Sequence, residues 1–234
     1  MTRTKLVLFD IDGTLLTAGY ATRRAISRAL KEVFQVDDAL KGLSRASFAG
    51  KTDPEIILSI LARNDFQGND VQGKLVVFFT RYIEALKEEL PGEPEARLHP
   101  GVRELLRELD SSKRAVLGLL TGNIHEGAMI KLRNFGLDGF FTTGSFGSDS
   151  ANRGDLPKIA MRRASHKTGK KFEGRSVIIV GDTPDDCEIS RQVGAKSVLV
   201  ATGFYPYEEL ARVKPDHLFR DFTDTAEVIK AILS

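Results

Sequence analysis

The stretch KLVLFDIDGTLL, residues 5–16, begins as an apolar strand and ends in two aspartates, Asp10 and Asp12, two positions apart. An ionised carboxylate buried without a partner is costly or is driven to hold its proton, so the pair needs compensation. Either a cation sits between the two groups or the segment is a solvated loop. The rest of the chain decides which.

Similar apolar runs recur at residues 115–120, 177–180 and 197–201, each short enough to be a buried strand. Helical periodicity fills the intervals. Val102, Leu105, Leu106 and Leu109 share one face; Ile124, Ala128, Leu132 and Phe135 share another, ended by Gly136 at a C-cap position. Strand and helix in alternation predict a doubly wound α/β domain on a parallel sheet. One long interruption, residues 18–95, reads as helices only. Ile26, Leu30, Val33 and Phe34 form one face, a second helix is entered through Thr52, Asp53 and Pro54, and Leu75, Val76, Phe79, Tyr82, Ile83, Leu86 and Leu90 form a third. The segment PGEPEARLHPG, residues 91–101, is the return linker. The expected organisation is an α/β core, residues 1–17 and 96–234, carrying an inserted all-helical domain, residues 18–95.

The chain has 234 residues, with 34 Lys and Arg against 32 Asp and Glu, and a net charge of +2 without blocks of one sign. No clustered basic face points to nucleic acid. Cys187 is the single cysteine, which excludes an internal disulfide and fits a reducing compartment. Asp10 and Asp12 interrupt the one early apolar run, so neither a signal peptide nor a membrane span is expected, and the expected setting is the cytoplasm.

The strand ends supply the compensation. VIIVGDTPDD, residues 177–186, sets Asp182 just past one apolar strand, with Asp185 and Asp186 in the first turn that follows. AVLGLLTGN, residues 115–123, sets Thr121 and Asn123 just past another. In a parallel α/β sheet such positions gather along one edge, at the crevice that binds ligands. Three or four carboxylates there, without His or Cys, make a hard oxygen set suited to Mg²⁺.

DIDGTL, LLTGN and GDTPDD, in this order and on these strand ends, resemble the haloacid dehalogenase superfamily of phosphohydrolases. The helical insertion resembles the cap of its phosphoglycolate phosphatase and β-phosphoglucomutase branch. The resemblance implies a covalent mechanism. Asp10 would be nucleophile and metal ligand; Asp12 would give a backbone carbonyl to Mg²⁺ while its side chain serves as acid and then base. Thr121, with Gly122 and Asn123, would hold the phosphoryl group. Asp182 would complete the protein ligands, with Asp186 as the second carboxylate of that motif, in the outer shell. Physical reasoning agrees with this division, since an acid–base carboxylate must be protonated in one step and ionised in the next. Gly13 removes a side chain where the backbone turns near the phosphate, and Asn123 is placed to cap the following helix.

The family also places a cation before a helix in its third motif. In SANRGDLPKIAMRRA, residues 150–164, Arg153 and Lys158 both qualify, and Arg153 is preferred because it precedes the helix. From the cap, FAGKTDPE, residues 48–55, offers Lys51 and Thr52 as substrate contacts, although Thr52 or Asp53 equally suits a helix cap. Arg45 and Phe48 are weaker candidates. His99, His125, His166 and His217 read as structural or exposed, Asp185 as a first-turn charge, Cys187 as a small buried side chain, and Phe204 and Tyr205 as packing at the core edge or a partner surface.

The expected activity is Mg²⁺-dependent hydrolysis of a small phosphorylated metabolite. A phosphomutase remains the alternative. A dehalogenase would not need Asp12 or a metal, and a non-catalytic module would not be expected to keep Asp10, Asp12 and Asp182 together. Substrate identity and oligomeric state stay open.

Overall fold

A computed structural model of the protein describes residues 4–44, 47–66 and 70–234. Its strands are β1 (Lys5–Phe9), β2 (Leu16–Thr17), β3 (Arg97–Leu98), β4 (Ala115–Leu120), β5 (Thr143–Ser145), β6 (Val177–Gly181), β7 (Lys196–Val200) and β8 (His217–Phe219). Six of them form one parallel sheet in the order β5-β4-β1-β6-β7-β8. The chain therefore winds from β1 to one side through β4 and β5 and to the other through β6, β7 and β8. The reversal falls beside β1, so the crevice opens at the end of the strand that carries Asp10 and Asp12.

Helices α4 (Val102–Ser111), α5 (His125–Asn134), α6 (Leu156–Thr168), α7 (Pro184–Gln192), α8 (Tyr207–Arg212) and α9 (Thr225–Leu233) complete the core. On α4 the four residues of the predicted face are all buried, and α5 ends before Gly136, which takes the left-handed conformation expected of a C-cap glycine. One cluster, including Val7, Phe9, Leu105, Leu132, Ile178 and Val198, packs one side of the sheet. A second, including Leu6, Leu8, Leu156, Ala160 and Ile179, packs the other. Alternate residues of β1 thus serve both layers, as the pleat requires.

Between β1 and β4 lie α1 (Ala21–Phe34), α2 (Asp53–Arg63) and α3 (Val71–Glu89). They bury their own apolar cluster, with Ile26, Leu30, Phe34, Ile57, Phe78 and Tyr82 inside. The two chain crossings pair with each other as an antiparallel ribbon, Leu16 with Leu98 and Thr17 with Arg97.

Two readings of the sequence are corrected. On α3 the inward stripe runs through Leu75, Phe78, Tyr82, Ala85 and Leu86, and Val76 is 70% exposed. The run Val76-Val77-Phe78-Phe79 is apolar all round, so periodicity alone allowed two faces. The strands β5 and β8, at the sheet edges, were not foreseen, nor was the β2–β3 ribbon. No helix among the described residues is long and apolar enough to cross a membrane.

Candidate active site

The carboxylates converge as expected. Asp10 follows β1 and is buried. Its Oδ1 accepts the Ile11 N–H at 2.7 Å, and its Oδ2 accepts from the Arg153 guanidinium at 2.9 Å. Asp182 follows β6, also buried, and accepts the Thr14 hydroxyl at 2.8 Å. Asp186, in the first turn of α7, takes Arg153 on Oδ1 at 2.7 Å and the Thr183 hydroxyl on Oδ2 at 2.7 Å. Ligand oxygens of Asp10, Asp182 and Asp186 lie within 4.8 Å of one another. Burial pushes the Asp10 carboxyl up, and Asp186 adds to this against the pull of Arg153. Burial likewise drives Asp182 well above the usual carboxylate range, reinforced by Asp10 and Asp186. Arg153 is desolvated too, yet Asp10 and Asp186 hold its proton more firmly than usual.

Three buried carboxylates facing one guanidinium leave an excess of negative charge with oxygen donors only. That donor set fits a hard divalent cation. The opening pair divides its work, however. Asp12 turns its side chain away from the cluster, and Oδ2 accepts from Asn123 Nδ2 at 2.7 Å and from Lys131 Nζ at 2.6 Å. Both oxygens of Asp186 are engaged by Arg153 and by the capping box of α7, in keeping with an outer-shell place. Gly13, at φ +85°, allows the turn just past the two aspartates, and a Cβ there would lie 2.3 Å from Asp182 Oδ2.

Thr121 is buried at the end of β4, its Oγ1 accepting from Asn123 Nδ2 at 2.8 Å. Asn123 does not cap α5. Ile124 holds that position without a side-chain bond, and Asn123 is instead committed to Asp12, Thr121 and Lys131. The carboxylate that meets this helix start comes from the cap: Asp53 Oδ2 accepts the Ile124 N–H at 2.8 Å, and the Asp53 N–H bonds Gly122 O at 2.7 Å.

Arg153 and Lys158 are distinguished. Lys158 is exposed on α6, in a separate cleft with Glu55, Asp155 and Glu188, away from Asp10. Of the cap residues, Lys51 lines the cavity above Asp10, whereas Thr52 does not. The Thr52 hydroxyl caps α2 and donates to Ala151 O at 2.7 Å, so its side chain belongs to the cap–core junction. Phe48 and Phe204 line the cavity, and Arg45 lies outside the described residues. His125 is exposed in the first turn of α5 and Cys187 is buried, as expected. His99 is buried, as a structural histidine would be, and also lies on the cavity wall, where burial and then Arg97 lower its pKa to about 4. The cavity has a volume of about 380 Å³.

Sequence reasoning missed Lys131 and the reach of Asp53. Lys131 did carry a signal: it stands three residues after Ala128 and seven after Ile124, on the apolar face of α5. A lysine on a core-facing stripe asks for a buried anion.

The buried carboxylate crevice thus lies at the switch point of a parallel α/β sheet, beside an inserted helical cap. Residues 4–194 match the family model of haloacid dehalogenase-like hydrolases, and the chain belongs to that family. It is 28% identical over 233 residues to a phosphoglycolate phosphatase of Haemophilus influenzae, covering 97% of this chain and 99% of that one. It is 25% identical to the pyrophosphatase PpaX of Halalkalibacterium halodurans, covering 95% of each. Among solved structures, CbbY from Rhodobacter sphaeroides, in complex with phosphate, superposes with a TM-score of 0.75 at 21% identity, over 94% of this chain and 96% of that one. The family and the phosphatase reading taken from the sequence motifs agree with these relatives.

Proposed function

We propose that the protein is a Mg²⁺-dependent phosphomonoesterase acting on a small phosphorylated metabolite, with Asp10 as nucleophile and Asp12 as acid and base. The observation that carries this reading is the position of Asp10. It is buried, bonded to Arg153 and clustered with Asp182 and Asp186, on the wall of a cavity that also presents Asp12 and Thr121. The proposal gives the divalent ion to Asp10, Asp182 and the Asp12 carbonyl, with Asp186 behind them. Bound there, it would offset the repulsion between the Asp10 carboxylate and the phosphoryl group.

In the first step a carboxylate oxygen of Asp10 attacks phosphorus while the bond to the leaving oxygen breaks, and Asp12 gives that oxygen its proton. Water then attacks the aspartyl-phosphate, Asp12 takes a proton from the water, and the bond from phosphorus to Asp10 breaks to release phosphate. Arg153 screens Asp10 and the phosphoryl oxygens, Thr121 with the Gly122 and Asn123 backbone holds them, and Lys51 meets the remainder of the substrate from the cap. The cap in this reading is residues 18–95, and the core residues 1–17 and 96–234, a division supported by the β2–β3 ribbon at the crossings. A cytoplasmic setting belongs to the same proposal, compatible with the one free, buried cysteine.

The test is a panel of phosphorylated metabolites assayed with Mg²⁺, with phosphorus NMR of the products. Stoichiometric inorganic phosphate is expected, lost in Asp10→Asn and lost reversibly with chelator. Full activity in excess chelator would refute the metal, and an isomerised ester accumulating faster than phosphate would establish a mutase instead.

A further inference from the structure

Lys131 is a buried cation on the cavity wall that the proposed chemistry does not use. It stands on α5, 1% exposed, among residues that otherwise pack apolar surface. An ammonium in such a place is costly unless its N–H groups are met. Its hydrogen bonds go to two acceptors, Asp12 Oδ2 at 2.6 Å and Asn123 Oδ1 at 2.6 Å. Asn123 closes the ring by donating from Nδ2 to the same Asp12 oxygen at 2.7 Å and to Thr121 Oγ1 at 2.8 Å. The orientation of the Asn123 amide follows from these partners, since only its oxygen can face an ammonium and only its nitrogen a carboxylate.

Asp12 is thereby held by one oxygen. Two donors converge on Oδ2, no hydrogen bond from the described residues reaches Oδ1, and the side chain remains 42% exposed on the cavity wall. A carboxylate with one oxygen fixed and one free is oriented for proton exchange with a group in the cavity. The short Asp12 side chain has no other anchor among the described residues. The Asp53 carboxylate of the cap, itself bonded to Ile124, lies near enough for the Lys131 charge to act on it.

We propose that Lys131 is a positioning residue for the acid–base step: with Asn123 it fixes Asp12 Oδ2 so that Oδ1 meets the leaving oxygen of the substrate. This rests on the reading of Asp12 given above. It makes a demand that a merely structural lysine would not make. Loss of Lys131 should matter in proportion to how much the leaving group needs a proton.

The experiment compares kcat/KM, which reports the steps through leaving-group departure, for an alkyl phosphate and for p-nitrophenyl phosphate, whose phenolate leaves without a proton. In Lys131→Met the alkyl ester should lose about 100-fold or more, the scale of general acid catalysis, and the aryl ester less than about fivefold. Lys131→Gln, which keeps a donor, should lower the same ratio by less. Thermal melting verifies that the variants are folded, and if Lys131→Met has no transition the ratio is read on Lys131→Gln. An equal loss on both esters, or no loss on either, overturns the inference while leaving the phosphatase reading intact. A wild-type protein without turnover on any ester removes both.

Discussion

The cap touches the loop of residues 121–123 backbone to backbone, and one methyl group can report whether that contact matters in turnover. A Cβ on Gly122 would lie 2.0 Å from Lys51 O and 3.0 Å from Thr52 Cα. Neither partner is a side-chain tip that can swing aside, so the cap loop must retreat by about 1 Å or more to reach ordinary contact distance. That retreat pulls on two bonds, the Asp53 N–H to Gly122 O at 2.7 Å and the Ile124 N–H to Asp53 Oδ2 at 2.8 Å. Taking about 1 kcal/mol for the neutral bond and about 1.5–3 kcal/mol for the one to a carboxylate, seating of the cap is weakened by roughly 2.5–4 kcal/mol. If the seated cap is the reactive form, kcat/KM in Gly122→Ala falls by roughly 100- to 1000-fold. The cap and core bury separate apolar clusters, so the melting temperature should move little. Hydrogen exchange of the amides of residues 51–56 should rise in the variant at the same time. Gly139→Ala, where an added Cβ meets nothing within 4 Å, is the control. A Gly122→Ala enzyme within about threefold of wild type, with unchanged exchange in that segment, would refute the reasoning.

Arg153→Ala leaves Asp10 and Asp186 buried without their shared guanidinium and should cost about 3–5 kcal/mol, in activity, stability or both; Lys158→Ala, at an exposed site, should cost roughly 0.5 kcal/mol or less, and comparable losses in rate and melting for the two variants would overturn the assignment. Asp53 holds its proton to about pH 6 in the fold, against 3.8 ordinarily, because burial outweighs the pull of Lys131 and of the Ile124 N–H. Stability from its neutral form is thus complete below the ordinary value and lost as pH rises through about 6. Asp53→Asn should therefore gain on wild type between pH 4 and pH 7.5 by up to about 3 kcal/mol, and a difference that stays constant over that range would disprove it.

How much of this was legible in the sequence depended on whether the deciding contact was local. Apolar runs followed at once by Asp10, Thr121 and Asp182 announced both the parallel sheet and the edge at which those residues meet, because a strand end fixes where the next side chain goes. The helical insertion was legible because each helix carries its own apolar face, and together these faces make one cluster. The edge strands β5 and β8 were not, being three residues each and without a distinctive apolar run. The preference for Arg153 over Lys158 followed from its place ahead of α6, and the fold gives the reason: the short turn at Arg153–Asp155 points the guanidinium at Asp10, while Lys158 lies on the outer face of the helix.

Lys131, which escaped notice, and Asp53, read only as a helix cap, share a feature: each finds its partner on an element remote in the chain, and their placement divides the charge of the site in two. Around Arg153 stand Asp10, Asp182 and Asp186, three buried carboxylates against one guanidinium. When all are ionised they leave two negative charges, which one divalent cation balances. Around Lys131 stand Asp12 and, across the cap–core junction, Asp53. That second group has one negative charge in excess when both carboxylates are ionised, and burial raises the pKa of Asp53 to about 6. The two aspartates of DIDGTL therefore face different partners although only one residue separates them. Asp10 belongs to the group with the larger negative excess, which in the proposed mechanism takes the metal, and Asp12 to the group with the smaller, where the proposed acid and base acts. The Asp10 carboxylate accepts from Arg153 and the Asp12 carboxylate from Asn123 and Lys131, so neighbours in sequence belong to environments different in charge.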